Sequence, residues 1–180
     1  NIVEKNISDI LTDHAYCEQK AASYAISLIT KYPEISEIVD KMTALAQEEM
    51  QHFQMVHEII KKRGLALGKE SKDPYVHDLM KFIKRGGSDA MVLVDRLLIA
   101  AMIEARSCER FRILSENIED KELAKFYSDL MTSEARHYAM FLKLARKYGE
   151  GVDVDARWKQ FLVKEAEIMV LYGKKETIHG

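Results

Sequence analysis

Six ionisable side chains stand where this sequence otherwise places core residues. Reading every third or fourth position gives Leu11, Ala15, Glu18, Ala22, Ala25, Ile29, and then Ile38, Met42, Leu45, Glu49, His52, Val56, Ile59. The pattern recurs as Leu93, Leu97, Ala100, Glu104, Ser107, Phe111, Leu114, followed by Leu123, Tyr127, Leu130, Glu134, His137, Phe141, Leu144. Each series is the apolar stripe of an amphipathic helix, interrupted by a carboxylate or an imidazole. A carboxylate on such a stripe loses its hydration, so it must take up a proton or face a cation. Glu-x-x-His sets two donors about 60° apart around a helix and roughly 4.5 Å along it, within reach of one ion. Four carboxylates balance two divalent cations, and mixed oxygen and imidazole donors suit iron first and manganese second. The chemistry on offer is that of a buried pair of transition-metal ions.

One Glu-x-x-His is weak evidence, since chance supplies roughly 0.6 of them in a chain of this composition. Glu176 to His179, beyond the last predicted helix and without a companion carboxylate, is read as such a coincidence. The other two keep register: Glu49 to Glu134 is 85 residues, His52 to His137 is 85, and Glu18 to Glu104 is 86. That repeat argues against the bland alternative of exposed helix residues or isolated buried ion pairs. Glu109 lies about 140° around the helix from Glu104 and is assigned to the surface or a supporting role, with Glu48 the other doubtful neighbour. His14, His57 and His77 are read as surface or hydrogen-bonding residues, and Tyr127 as core packing. Ser107 is a small hydroxyl that could leave room near the metals or bond its own helix.

These stripes require long helices. Apolar spacing predicts core helices over 8–31, 34–63, 88–116 and 120–148, and an extra helix over 154–172 in which Trp158, Phe161, Leu162 and Ile168 can pack. Pro33 reads as a first-turn proline, Gly64 as the end of the second helix, Ser88 or Asp89 and Asp120 as N-caps, and Gly149 with Gly151 as a break. Residues 65–72 read as a loop, Asp73-Pro74 as the start of a short helix reaching Arg85, and 173–180 as a loose tail. The two Glu positions then fall at matching depth in two helical hairpins. The long connection between the second and third core helices, carrying the short helix, predicts an all-α, four-helix bundle with one crossover and an additional C-terminal helix. One Glu from each of two helices and Glu-x-x-His from each of two others is the ligand set of ferritin-like di-iron and di-manganese bundles.

The composition agrees. The 180 residues suit one domain, 1–180, with 47% apolar and 31% charged residues, and only two prolines and eight glycines to interrupt helices. A formal net charge of −2 argues against a strongly basic nucleic-acid module, although local basic clusters occur at Lys61-Lys62-Arg63, Lys81-Lys84-Arg85 and Lys143-Arg146-Lys147. Cys17 and Cys108 form no iron–sulfur or zinc motif, so electrons must come from outside. No run of about 18 apolar residues and no signal pattern occurs, which predicts a cytoplasmic protein without membrane association; Asn1 in place of Met leaves a processed start open.

The segments His14-Ala-Tyr-Cys-Glu-Gln-Lys-Ala-Ala, Ala46-Gln-Glu-Glu-Met-Gln-His, Ile103-Glu-Ala-Arg-Ser-Cys-Glu-Arg-Phe and Ser133-Glu-Ala-Arg-His-Tyr resemble the tRNA hydroxylases acting on 2-methylthio-N6-isopentenyl-adenosine, the MiaE family. Nearly the whole bundle is covered, without departure at the six ligand positions. The resemblance implies an O2-dependent di-iron monooxygenase that hydroxylates the isopentenyl side chain beside a tRNA anticodon. Glu18, Glu49, His52, Glu104, Glu134 and His137 would hold two non-haem iron ions, the anticodon arm would be the macromolecular partner, and a separate reductase the electron donor. The apolar side chain would enter near Ala22, Ala100, Phe111 and Phe141. The metal motif is shared with ferritins, rubrerythrins and quinone hydroxylases. Another di-iron oxidase or hydroxylase, and iron oxidation with storage, are therefore the competing functions. A monomer or small oligomer fits an enzyme, a large shell fits storage, and a helical adaptor would bind no metal.

Overall fold

A computed structural model describes residues 6–71, 74–84 and 86–172, with side chains through 170. The expected cap Asp73, the helix end and basic residue at Arg85, the tail 173–180 and the Glu176–His179 match lie outside the described residues. Six helices and no strand occur among the described residues: α1 (Ile7–Lys31), α2 (Ser36–Lys62), α3 (Pro74–Met80), α4 (Asp89–Asn117), α5 (Lys121–Tyr148) and α6 (Val154–Tyr172). None is long and apolar enough to cross a membrane. The chain sorts into two compact units, Asn1–Lys72 and Asp73–Gly180.

In the first unit α1 and α2 pack together as a hairpin. Pro33 does not start α2. It occupies the second position of a turn closed by the Ile35 N–H donating to the Tyr32 carbonyl at 3.2 Å, a position its fixed φ favours, and α2 begins only at Ser36. At the other end Gly64 adopts φ +69°, and the Gly64 and Leu65 N–H groups return to Lys61 and Ile60 carbonyls. This paired return satisfies carbonyls that the last helical turn leaves open. The stripes are buried as expected except at their C-terminal ends, where Leu28 and Ile60 replace Ile29 and Ile59 because a 3.6-residue period drifts off a fixed ladder.

The loop after α2 is strapped along α1 by three side chains at four-residue spacing. Thr12 Oγ1 accepts from the Gly68 N–H at 3.2 Å, Tyr16 OH donates to the Gly68 carbonyl at 3.1 Å, and Lys20 Nζ donates to the Ser71 carbonyl at 3.2 Å. A Cβ on Gly68 would stand 3.1 Å from Thr12 Cγ2, so glycine permits the close approach.

In the second unit α4 and α5 form the hairpin, capped as the sequence predicts: Ser88 Oγ accepts from the Met91 N–H, and Asp120 Oδ1 from those of Glu122 and Leu123. From Leu93 to Met102 nearly every residue of α4 is buried, the signature of a helix covered on most sides. Asp153 caps α6 through the Ala156 N–H. Phe161 and Ile168 face the core, Trp158 is half-buried, and Leu162, expected to pack, is 45% exposed because it lies about 100° around the helix from Phe161. A Cβ on Gly149 would come within 2.8 Å of the Ala145 carbonyl and of Val154 and Val94 methyls, so this break admits no side chain.

The short helix ends at Met80 rather than near residue 85, for a tertiary reason. Arg157 donates to the Phe82 carbonyl at 2.9 Å, and the Lys84 N–H donates to Asp95 Oδ2 at 2.7 Å, so both backbone groups have partners without further helix. Asp95 is fully buried and accepts from Arg157 Nε at 2.7 Å and a terminal nitrogen at 2.9 Å. The guanidinium also lies over the Phe82 and Phe161 rings, at 4.4 and 5.0 Å from their centroids. Removing one side of a buried pair strands the other charge, so Asp95→Ala should lower unfolding stability by about 3–5 kcal/mol. Urea denaturation followed by circular dichroism checks this; a loss below about 1 kcal/mol, the range of a surface ion pair, would contradict it.

Candidate metal centre

The first unit brings Glu18 from α1 together with Glu49 and His52 from α2. They are 4%, 0% and 6% exposed. His52 Nδ1 lies 3.5 Å from Glu49 Oε2 and 3.8 Å from Glu18 Oε2. In the second unit α4 presents Glu104, and α5 presents Glu134 and His137, all buried. His137 Nδ1 lies 3.7 Å from Glu104 Oε2 and 3.9 Å from Glu134 Oε1. The two trios share one plan, an imidazole Nδ1 facing two carboxylates, one from its own helix three residues earlier and one from the hairpin partner.

Those separations exceed a hydrogen bond. Two donors each about 2.1 Å from a shared ion, however, are separated by at most about 4.2 Å. The donor atoms of each trio lie within 4.8 Å of one another, and with two carboxylates and one imidazole apiece they fit a divalent ion of the iron or manganese type.

His14, read from the sequence as surface or hydrogen-bonding, takes the hydrogen-bonding role, and its partner is the site residue Glu18. His14 is fully buried, and its Nε2 lies 2.6 Å from Glu18 Oε1. The available signal was the i, i+4 spacing that stacks His14 and Glu18 on one helix face. His57 stacks on Phe53 and His77 is exposed, as expected of residues outside the site. Glu48 lies 3.9 Å from His52 Nε2 at the edge of the first trio. Glu109 is exposed and pairs with Arg106, whose Nε is 3.5 Å from Glu165 of α6. That role keeps Glu109 apart from the donors. Ser107 and Tyr127 are both buried, Tyr127 with its ring 5.4 Å from that of Phe111.

Burial pushes the Glu18 carboxyl up, but the hydrogen bond with His14, followed by the interaction with His52, outweighs it and holds the group well below the usual carboxylate range. Burial likewise works to lower the His52 pKa, and the Glu18 and Glu49 carboxylates override it, raising the pKa from 6.5 to about 9. In the metal-free protein His52 therefore carries a proton at neutral pH that a cation must displace.

Two helical hairpins, each with a buried Glu opposite a buried Glu-x-x-His, define the ferritin-like class of carboxylate- and histidine-bearing helical proteins. A solved structure described as "Protein 43 with aldehyde deformylating oxygenase activity from Synechococcus" shares that fold: it superposes with a TM-score of 0.89 and 30% identity over 99% of this chain and 89% of its own. Residues 2–180 match the family described as tRNA-(MS[2]IO[6]A)-hydroxylase (MiaE), and the chain belongs to that family. The tRNA 2-(methylsulfanyl)-N(6)-isopentenyladenosine(37) hydroxylase of Pseudomonas putida is 43% identical over 169 residues, covering 94% of this chain and 80% of the relative. Its Salmonella typhimurium counterpart is 28% identical over 98% of this chain and 81% of its own length.

The pKa directions fix a pH dependence. His52, raised on folding, stabilises the metal-free protein fully below pH 6.5 and ceases to do so as pH rises through about 9. Glu18, lowered on folding, stabilises fully above 4.5 and loses that contribution progressively as pH falls from there through its lowered folded value. These two groups thus favour the metal-free fold most between pH 4.5 and 6.5. Affinity for Mn2+ should instead climb from pH 6.5 towards 9, with proton release on binding. Calorimetric titration in buffers of different ionisation enthalpy measures both; an affinity flat across that range would contradict the assignment.

Proposed function

We propose that this protein is an O2-dependent di-iron monooxygenase that hydroxylates the isopentenyl side chain of 2-methylthio-N6-isopentenyl-adenosine in tRNA. On this reading residues 1–180 act as a single ferritin-like domain, and Glu18, Glu49, His52, Glu104, Glu134 and His137 hold two iron ions. The observation that carries it is the 43% identity to the Pseudomonas putida hydroxylase across the helices that present both buried trios. When bound, the iron pair supplies O2 activation: one oxygen atom enters a C–H bond and the other leaves as water, using two electrons and two protons from an external donor.

The chain's own residues bind, orient and exclude water. The carboxylates and imidazoles of each trio are held on helices rather than loops, which fixes their directions. Ala22, Ala100, Phe111 and Phe141 are buried apolar positions on the same stripes, suited to an isopentenyl group and hostile to water. An external reductase is the electron source on this reading, because Cys17 and Cys108 are not joined as a disulfide, and burial, against the opposing pull of Arg112, pushes the Cys108 thiol up and away from the reactive thiolate form.

The tRNA anticodon arm is the substrate carrier, and a cytoplasmic setting goes with it. Lys61, Lys62, Arg63, Lys143, Arg146 and Lys147 are exposed, a positive surface of the kind that draws phosphates. Lys81 is engaged by Asp78, and Arg146 by Asp155, so the net attraction of their clusters is less than the bare sequence suggests.

The test is reconstitution with iron, a chemical reductant and O2, offering modified tRNA, the anticodon stem-loop, the free nucleoside, a quinone and a fatty aldehyde in parallel. About two iron ions per chain and hydroxylated nucleoside from the RNA substrates are expected. Glu104→Ala and His137→Ala should each abolish turnover while keeping helix content. Turnover of quinone or aldehyde with none of any RNA form would overturn the tRNA assignment. Full activity in protein free of transition metal would overturn the di-iron reading.

A further inference from the structure

The two trios match, but their surroundings do not. One turn before Glu18 stands His14; one turn before Glu104, at the equivalent stripe position, stands Ala100. His14 is fully buried, and its Nε2 lies 2.6 Å from Glu18 Oε1, leaving Oε2 as the oxygen nearer His52 Nδ1, at 3.8 Å. The Glu18 carboxylate is thus divided, one oxygen held by His14 and the other turned to the donor cluster. Ala100 is buried at 4% exposure and, having only a methyl group, can offer Glu104 no such hydrogen bond.

We propose that His14 is a positioning residue that restricts Glu18 to metal binding through Oε2 alone, whereas Glu104, with Ala100 behind it, is left both oxygens, so that the two half-sites are chemically distinct. This rests on the metal-binding reading given above. An imidazole N–H on the outer oxygen fixes the carboxylate plane and moderates its donor strength, as partners behind metal ligands commonly do. The depressed protonation of Glu18 agrees with this arrangement without being needed for it. The inequivalence resides in one helix position, so it can be removed without touching any of the six donors.

The experiment titrates Co2+ into metal-free full-length protein and follows its ligand-field absorption, which reports donor set and geometry independently of activity. The wild type is expected to take up two ions with distinguishable spectra. His14→Ala should weaken one binding event by about 10–100-fold and shift that ion's spectrum alone. His14→Gln, whose amide can donate from a comparable reach, should restore most of the affinity, which a merely space-filling role would not predict. Combining variants places the effect: it should persist in His137→Ala and vanish in His52→Ala, since only residues of one half-site should couple. Unchanged Co2+ affinity and spectra in His14→Ala would overturn the proposal. So would equal weakening of both ions, or a Gln variant no better than Ala at matched helix content. No Co2+ bound by the wild type would instead sink the metal-centre reading itself, a result distinct from all three.

Discussion

Taking a carboxylate out of water on a helix stripe demands compensation, and this chain provides it in two ways. Asp95 is compensated from within: the Arg157 guanidinium and the Lys84 N–H approach it at 2.7 to 2.9 Å, distances of direct charge-assisted hydrogen bonds. The carboxylates of the two trios face their histidines at 3.5 to 3.9 Å, spacings that suit a cation among them. Burial is similar in both cases, so what differs is the spacing of the partners, closed around Asp95 and open between each trio's carboxylates and its histidine.

Each hairpin needs something to hold it in shape around its trio. The first is braced by the loop after α2, tied along α1 at Thr12, Tyr16 and Lys20. The second is braced by α6, through Arg157 to Asp95 and through Glu165 to Arg106. The repeat that shows so clearly in the donors therefore does not extend to their scaffolding. Position 14 against position 100 is the point where this difference reaches the donors themselves.

What was legible in the sequence was whatever a helical period can encode. The four stripes, the six ionisable residues buried on them, the caps Ser88 and Asp120 and the glycine ends at 64 and 149 all follow from local spacing and local hydrogen bonding. What escaped depends on partners distant in the chain or on competition between two local roles. Pro33 suits a helix's first turn and a β-turn equally well by its φ alone, and the turn closed by Tyr32 and Ile35 takes precedence. The short helix stops at Met80 because Arg157 and Asp95 meet backbone groups 75 and 11 residues away, which no local window can register. Leu162 reads as core by type, but a helix with Phe161 inward turns its neighbour out. His14 was legible as a hydrogen-bonding residue, and its partner follows from the spacing, since a histidine one turn from a buried glutamate shares its face.

The Asp95–Arg157 contact also orders events in time as the chain is made. The two residues are 62 positions apart, so at about 5–20 residues per second Asp95 leaves the ribosome about 3–12 seconds before Arg157 does. During that interval α4 and α5 can emerge and pair, but the Asp95 side of α4 must stay wet, because closing over an uncompensated carboxylate is costly. The same arginine then takes up the Phe82 carbonyl, so one late-arriving side chain settles both the acid on α4 and the backbone just after α3. Completion of the second unit is thereby tied to synthesis of its last helix.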